Sequence, residues 1–358
     1  MSASRHRPGW SADERRDLAH VAAAVREWLD ACDSPLYAHL AREIAGDPDM
    51  LALLARIDNV PPLNILFAAV KLAVRPEDAL AAWYPHLAGD DARPVDGAVY
   101  QAFRGFALER AEEIEHAGRT RRTQTNEVGR AAAILPWLAS EAERIVAEAG
   151  LPAGSPVLLV DVGASAGLNL CLDRFDYDYT GERVVTGNPA SARVTLVCDN
   201  RGGFALPAAP PVVGERVGLD LAPLDVTDPD AAAWLEALVW PEHQDRLERL
   251  RSAIQIRRET PVRLIAGDAT RTLAALADEL PSGPAVVFHT MMAYQLDDAS
   301  RTALDDAVAA LAASRPVARV AAEAVEVSHR PQVRVGLRWS DAEPVAMAHA
   351  HGRWLERA

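Results

Sequence analysis

One segment constrains this chain more than any other: Pro156-Val157-Leu158-Leu159-Val160-Asp161-Val162-Gly163-Ala164-Ser165-Ala166-Gly167-Leu168-Asn169. Residues 156–162 form a short apolar run between breakers, broken only by Asp161, as expected of a strand covered on both faces. Glycines at 163 and 167 let the chain turn sharply and let a ligand approach the backbone. The residues that follow predict a helix over 168–175, whose first N–H groups would face that ligand. A strand, a glycine turn and a helix in this order belong to a parallel sheet, so the rest of the chain must supply further strands and crossovers.

It does so after residue 150. Apolar runs at 213–219, 262–266, 285–288 and 317–321 alternate with helical patterns at 228–258, 270–280 and 298–313. Strands alternating with helices imply right-handed crossovers and a mostly parallel sheet. Residues 332–339 and 344–351, joined by Ser340-Asp341-Ala342-Glu343, read as a hairpin adding antiparallel strands at one edge. Before residue 150 the texture is helical. Ser11 and Glu14 read as a capping box. Leu18, Val21, Val25, Trp28 and Leu29 then recur at helical spacing. Further helices are expected after Asp47-Pro48, over the apolar run 63–74, after Pro76-Glu77-Asp78, and over 99–116 and 125–149. Two domains follow: a helical one over 1–150, on the lid and acceptor side, and an α/β one over 151–358 with an insertion at about 176–212.

Composition narrows the function classes. The 358 residues hold 37 Lys+Arg against 51 Asp+Glu, a net charge of −14, which argues against broad nucleic-acid binding. Arg119, Arg121 and Arg122 cluster without interleaved aromatics, as a solvated face or an anion contact would. Cys32, Cys171 and Cys198 have no paired spacing and fit a reducing compartment. Residues 1–10 are polar and basic, unlike a secretory leader. No apolar run reaches the ~18 residues needed to span a membrane. The expectation is a soluble cytoplasmic protein with a small-molecule partner and an open oligomeric state. His349 and His351 share a strand face, but no third ligand stands near them, so no metal is expected.

The spacing G-x-S-x-G admits three readings. It matches the cofactor loop of class I S-adenosylmethionine-dependent methyltransferases, which places Asp161, Gly163, Ala164, Ser165, Gly167 and Asn169 at the cofactor. It also matches a hydrolase nucleophile elbow with Ser165 as nucleophile, or a turn kept small for packing alone. The methyltransferase reading uses Asp161, which the hydrolase reading leaves idle. Such a site needs an acid ending the second strand to hold the ribose hydroxyls. Asp176 and Asp178 lie near the usual spacing, and Asp220 follows a better strand if 176–212 is inserted. Asp268, followed by Ala269, ends the third strand and could accept from the adenine amino group or simply cap the next helix. His289, with Thr290 and Tyr294 after it, ends the fourth strand where an acceptor would sit. A histidine there could take a proton, or be structural.

Several stretches together resemble a known family. They are Arg122-Thr123-Gln124-Thr125-Asn126-Glu127, the glycine segment 161–169, Arg216-Val217-Gly218-Leu219-Asp220-Leu221-Ala222-Pro223-Leu224-Asp225, Trp240-Pro241-Glu242 and His351-Gly352-Arg353-Trp354-Leu355-Glu356. Over nearly its whole length the chain resembles the actinobacterial domain of unknown function 2332 family. The resemblance implies a class I methyltransferase-like, Rossmann-type fold, doubly wound with seven mostly parallel strands, behind a helical N-terminal half. It also implies S-adenosylmethionine as cofactor and leaves the acceptor open. Gln124, Asn126 and Glu127 would then face the acceptor, with Glu127 and His289 as candidate catalytic groups and Thr290 and Tyr294 as further acceptor contacts. A binding or scaffold protein that keeps the fold without catalysis is the alternative, and a serine hydrolase the third.

Overall fold

A computed structural model describes residues 11, 13–14, 17–30, 32–124, 126–184, 193–277, 279–324, 332–337 and 344–358. The chain divides into two compact units, one of residues 126–228 with 249–358 and the other of residues 7–125 with 229–248.

The second unit is helical. Helices Leu18–Leu29, Pro35–Ile44, Pro48–Leu54, Pro62–Ala73, Gly97–Glu109 and Ala111–Thr120 surround a core that includes Tyr37, Leu40, Phe67 and Phe103. Their starts follow from sequence: Asp17, Ser34, Asp47 and Asp96 each accept backbone N–H bonds as caps. Ser11 and Glu14 make the expected reciprocal pair, Ser11 N to Glu14 Oε2 at 2.8 Å and Glu14 N to Ser11 Oγ at 3.3 Å. Residues 99–116 do not form one helix, because Arg110 leaves helical geometry (φ −106°, ψ 26°) and splits the run. Pro76-Glu77-Asp78 precedes a five-residue 3-10 turn, Ala79–Trp83, rather than an α-helix. Residues 229–248 complete this unit. Helix Pro229–Ala237 contributes Trp234 to the core, and Lys71 Nζ donates to the carbonyls of Glu236 in its last turn and of Val239 just beyond it. The long helix expected over 228–258 is broken around Trp240-Pro241 into Pro229–Ala237 and Gln244–Glu259.

The first unit carries the sheet. In chain order its strands are β1 Val157–Val162, β2 Asp176–Tyr179, β3 Glu182–Val184, β4 Thr195–Val197, β5 Asp199–Asn200 and β6 Val213–Asp220. They continue with β7 Arg263–Ala266, β8 Ala285–Thr290, β9 Val317–Ala324, β10 Gln332–Gly336, β11 Ala346–His349 and β12 Trp354–Glu356. Among the described residues the main sheet has nine strands, in the order β5-β12-β11-β10-β9-β8-β1-β6-β7, so the expected seven-stranded sheet is too small. It is mixed: β7, β6, β1, β8 and β9 run parallel, whereas β9 to β12 form an antiparallel meander. The expected hairpin is the β10–β11 pair, and its turn lies outside the described residues.

The two extra strands are β12 and, from the inserted segment, β5. That segment builds a small sheet, β3-β2-β4, and then β5 pairs with β12 at the far edge of the main sheet. β1 and β8 are buried at every residue, so both faces of the sheet centre are covered. Leu158, Val160, Val162, Val217, Leu219 and Val287 pack with Leu304, Ala307 and Leu311 of helix Asp298–Ala312. Helix Arg130–Glu148, which the sequence places with the helical half, belongs to this unit and packs on β8 and β9. No described helix is long and apolar enough to cross a membrane.

Candidate functional site

The five parallel strands, numbered by their appearance, lie in the spatial order 3-2-1-4-5. Chain progression reverses between β1 and β8, and ligands of open α/β sheets bind beyond the strand ends at such a point. β1 runs straight into the glycine turn there. Gly163 N and Ala164 N both donate to the Leu219 carbonyl, at 2.8 and 3.1 Å. Gly163 (φ +82°) and Gly167 (φ +71°) are left-handed, as their lack of a side chain permits. Ser165 is left-handed too (φ +51°), a conformation costing a non-glycine residue about 1–2 kcal/mol.

Several bonds hold the turn in that shape. Ser165 N donates to Asp220 Oδ2 at 2.8 Å, and Ala222 N to Asp220 Oδ1 at 2.9 Å. Leu224 N donates to the Ser165 carbonyl at 3.1 Å, and Asn126 Nδ2 to the Ala164 carbonyl at 3.1 Å. Asp220 therefore does end the second strand of the parallel set, and it braces the glycine turn. Asp176 and Asp178 lie in β2 of the small sheet, away from that position in the strand order.

No α-helix follows the turn. Residues 169–174 form a short 3-10 segment in which Cys171 is non-helical (φ −96°, ψ 18°). Leu168, Asn169, Leu170, Cys171 and Leu172 are all buried, so this stretch has no solvent face. Arg216 pins it, Nε to the Leu170 carbonyl at 3.1 Å and Nη2 to Asp173 at 2.6 Å. The aligned N–H groups of a long helix are thus missing, and polar side chains must do their work. Two are available: Ser165 Oγ and Asn169 Oδ1 are buried and have no hydrogen-bond partner. A buried polar atom without a protein partner is open to a bond from a ligand or from water.

Around the turn stand the strand-end acids. Asp161 is buried, and burial pushes its carboxyl well above the usual carboxylate range; Asp220 adds to this and Arg130 opposes it. Asp268 is exposed and caps helix Ala269–Ala275, accepting from Thr270 N at 3.0 Å, which places Ala269 in the first turn. Glu127 is buried and accepts from Gly129 N at 3.1 Å. Arg130 donates from Nε to the Ala350 carbonyl at 3.0 Å. The backbone at Gly129 and the turn at Gly352 are in close contact, since a Cβ on Gly352 would lie 1.8 Å from the Gly129 carbonyl oxygen. Gln124 is half-buried in the other unit, and Thr125 lies outside the described residues.

His289 is fully buried. Its Nδ1 lies 2.6 Å from Glu323 Oε1, and its Nε2 meets Arg319 at 3.1–3.2 Å, with Arg319 also paired to Asp305. Arginine only donates, so Nε2 accepts and Nδ1 carries the proton facing Glu323. Glu323 in turn accepts from Met292 N at 3.0 Å and Tyr294 N at 3.3 Å. Thr290 is buried beside this turn, whereas Tyr294 is over a third exposed and sits within the field of Arg130. Ser165 Oγ has no histidine partner, so the general base of a hydrolase triad is missing among the described residues. The rings of His349 and His351 are 5.3 Å apart, yet no group of three His, Cys, Asp or Glu among the described residues is placed to hold a metal.

Residues 19–357 match a family described as an uncharacterized protein conserved in bacteria, domain of unknown function 2332. The chain belongs to this family. No curated protein and no solved structure matches it. The DUF2332 match covers the helical unit as well as the sheet unit, so both are part of what the family shares.

Sequence alone missed Arg130, Met292, Arg319 and Glu323. A signal existed for two of them. Arg319 and Glu323 interrupt an otherwise small apolar strand, and charges inside a covered strand require partners. Met292 and Arg130 carry no such mark, because their importance comes from which turn they meet.

Proposed function

We propose that this protein binds S-adenosylmethionine at the glycine turn and methylates a small molecule. The observation that carries the reading is the pair of unpartnered buried atoms, Ser165 Oγ and Asn169 Oδ1, on a glycine turn at the reversal point of a 3-2-1-4-5 sheet. The 3-2-1-4-5 order of the parallel strands and the acids at three strand ends support this reading. The donor set also fits the cofactor's chemistry. Asp161 would face a cationic amino group, and Asp220, at the end of β6, would accept from ribose hydroxyls. Asp268 would stand at the base. Asn126, Glu127 and Tyr294 remain for the acceptor, and His289 acts through Glu323 rather than by touching substrate.

When bound, S-adenosylmethionine supplies an electrophilic methyl group. The chain then has chiefly to align the acceptor with it and exclude water, so a strong general base is not required. One observation favours the scaffold alternative: the Met292 side chain lies directly over Gly163.

Calorimetric titration with S-adenosylmethionine and S-adenosylhomocysteine decides between them, run beside Ser165→Gly. Glycine relieves the left-handed strain and removes the orphan hydroxyl, so this variant should be about 1 kcal/mol more stable. Micromolar binding that weakens severalfold in this more stable variant is the expected result. Absence of heat from folded wild-type protein would leave the scaffold reading.

A further inference from the structure

The turn after β8 is built in an unusual way. Met291 is left-handed (φ +54°), and its N–H is taken by the Ala322 carbonyl at 2.9 Å. The next N–H groups, of Met292 and Tyr294, converge on the Glu323 carboxylate. Glu323 is only 4% exposed, and behind it lies the chain His289–Arg319–Asp305. Register explains the grouping. His289 pairs with Ala321, and residues 319 and 323 flank that position on the same face of β9. A buried carboxylate with two backbone donors and a histidine holds its turn in one place.

What that turn presents to the site is Met292. A Cβ built on Gly163 would lie 2.5 Å from Met292 Cγ and 2.8 Å from its Cβ. Met292 thus occupies the side of Gly163 that a side chain would take, and a ligand lying against that side of the glycine must move it. Methionine has three soft torsions and an apolar thioether, so it can fill such a space and leave it at small cost.

We propose that Met292 is the residue that governs ligand access to the glycine turn, and that Glu323 is the positioning residue that keeps it there. The inference rests on the cofactor reading of the site. Only the fraction of protein in which Met292 is displaced is competent to bind, and apparent affinity is reduced by that fraction.

The test measures S-adenosylhomocysteine affinity in wild type, Met292→Ala and Glu323→Ala. Thermal stability is measured for Gly163→Ala, alone and combined with Met292→Ala. Met292→Ala is expected to bind about tenfold more tightly, the effect of removing a displacement cost near 1.4 kcal/mol. Glu323→Ala is expected to tighten binding in the same direction, whereas simple loss of structure would weaken it. The Gly163→Ala defect is expected to shrink in the Met292→Ala background, a readout that needs no ligand. Equal affinity of wild type and Met292→Ala would overturn the access role while leaving the cofactor reading intact. No binding by any of the proteins would remove both. An undiminished Gly163→Ala defect in the double variant would show that Met292 does not guard that glycine.

Discussion

Asp161 shows how one residue's surroundings decide its chemistry. It interrupts a strand otherwise made of Val and Leu, and every residue of that strand is buried. Taking a carboxylate out of water disfavours its charged form, Asp220 repels it further, and Arg130 compensates only in part. A raised folded-state value for an acid means that the unfolded chain releases its proton first. Between the ordinary carboxylate value near ~4 and the raised value, the folded state holds more protons, so stability falls as pH rises. Asp161→Asn should therefore be more stable than wild type at pH 8. The gap should close toward pH 4 when urea midpoints are compared across pH. A gap independent of pH would mean that the residue is ionised throughout. The same logic gives a signature of binding: a cationic ligand beside Asp161 draws off its proton. Calorimetry in buffers of different ionisation enthalpy should therefore register proton release.

At the scale of elements, most strands of the sheet centre were legible because they are covered on both faces. β1, β6, β7, β8 and β9 each coincide with an apolar run between breakers. β5 and β12 were not, being two and three residues long, too short to show a period. The helix expected at 168–175 failed for another reason. Residues 168–172 are buried all round, and Arg216 and the turn itself hold the stretch as a 3-10 segment. The glycine turn and the three strand-end acids were readable, whereas Glu323 and Met292 gain meaning only from register and turn geometry.

Caps were the most legible local feature, and Asp47 is the best example. Its Oδ1 accepts from Asp49 N at 2.9 Å and Met50 N at 3.2 Å, and its Oδ2 from Tyr100 Oη at 2.7 Å and Arg104 Nε at 2.6 Å. Partial burial opposes ionisation, but the bonds from Tyr100, Arg104 and Met50 outweigh it and hold the carboxyl below its ordinary range. A depressed folded-state value gives stability that is present above the unfolded value and lost as pH falls through the folded one. Asp47→Ala should cost about 2 kcal/mol at pH 7. That cost should fade below about pH 4 in urea titrations. A cost unchanged at pH 2 would show that packing rather than the charge supports the cap.

The whole molecule interleaves its two units in sequence, since residues 229–248 leave the sheet unit's stretch of chain to complete the helical one. Within the helical unit their contribution is specific. Trp234 is among the largest fully buried side chains, and its Nε1 donates to the Arg122 carbonyl at 2.9 Å. Glu242 accepts from Ser34 Oγ at 2.7 Å and Leu36 N at 2.8 Å at the start of helix Pro35–Ile44. Lys71 places its ammonium on the carbonyls of Glu236 and Val239, so without residues 229–248 a buried cation would lose these two acceptors. Losing a buried tryptophan alone costs about 3–5 kcal/mol, comparable to the whole stability of a small domain. Residues 7–125 expressed alone should thus lack a cooperative unfolding transition. The same residues joined to 229–248 through a flexible linker should regain one, followed by circular dichroism in urea. A cooperative transition of equal midpoint in the shorter chain would show that the helical unit does not depend on the segment lent to it from the middle of the sequence.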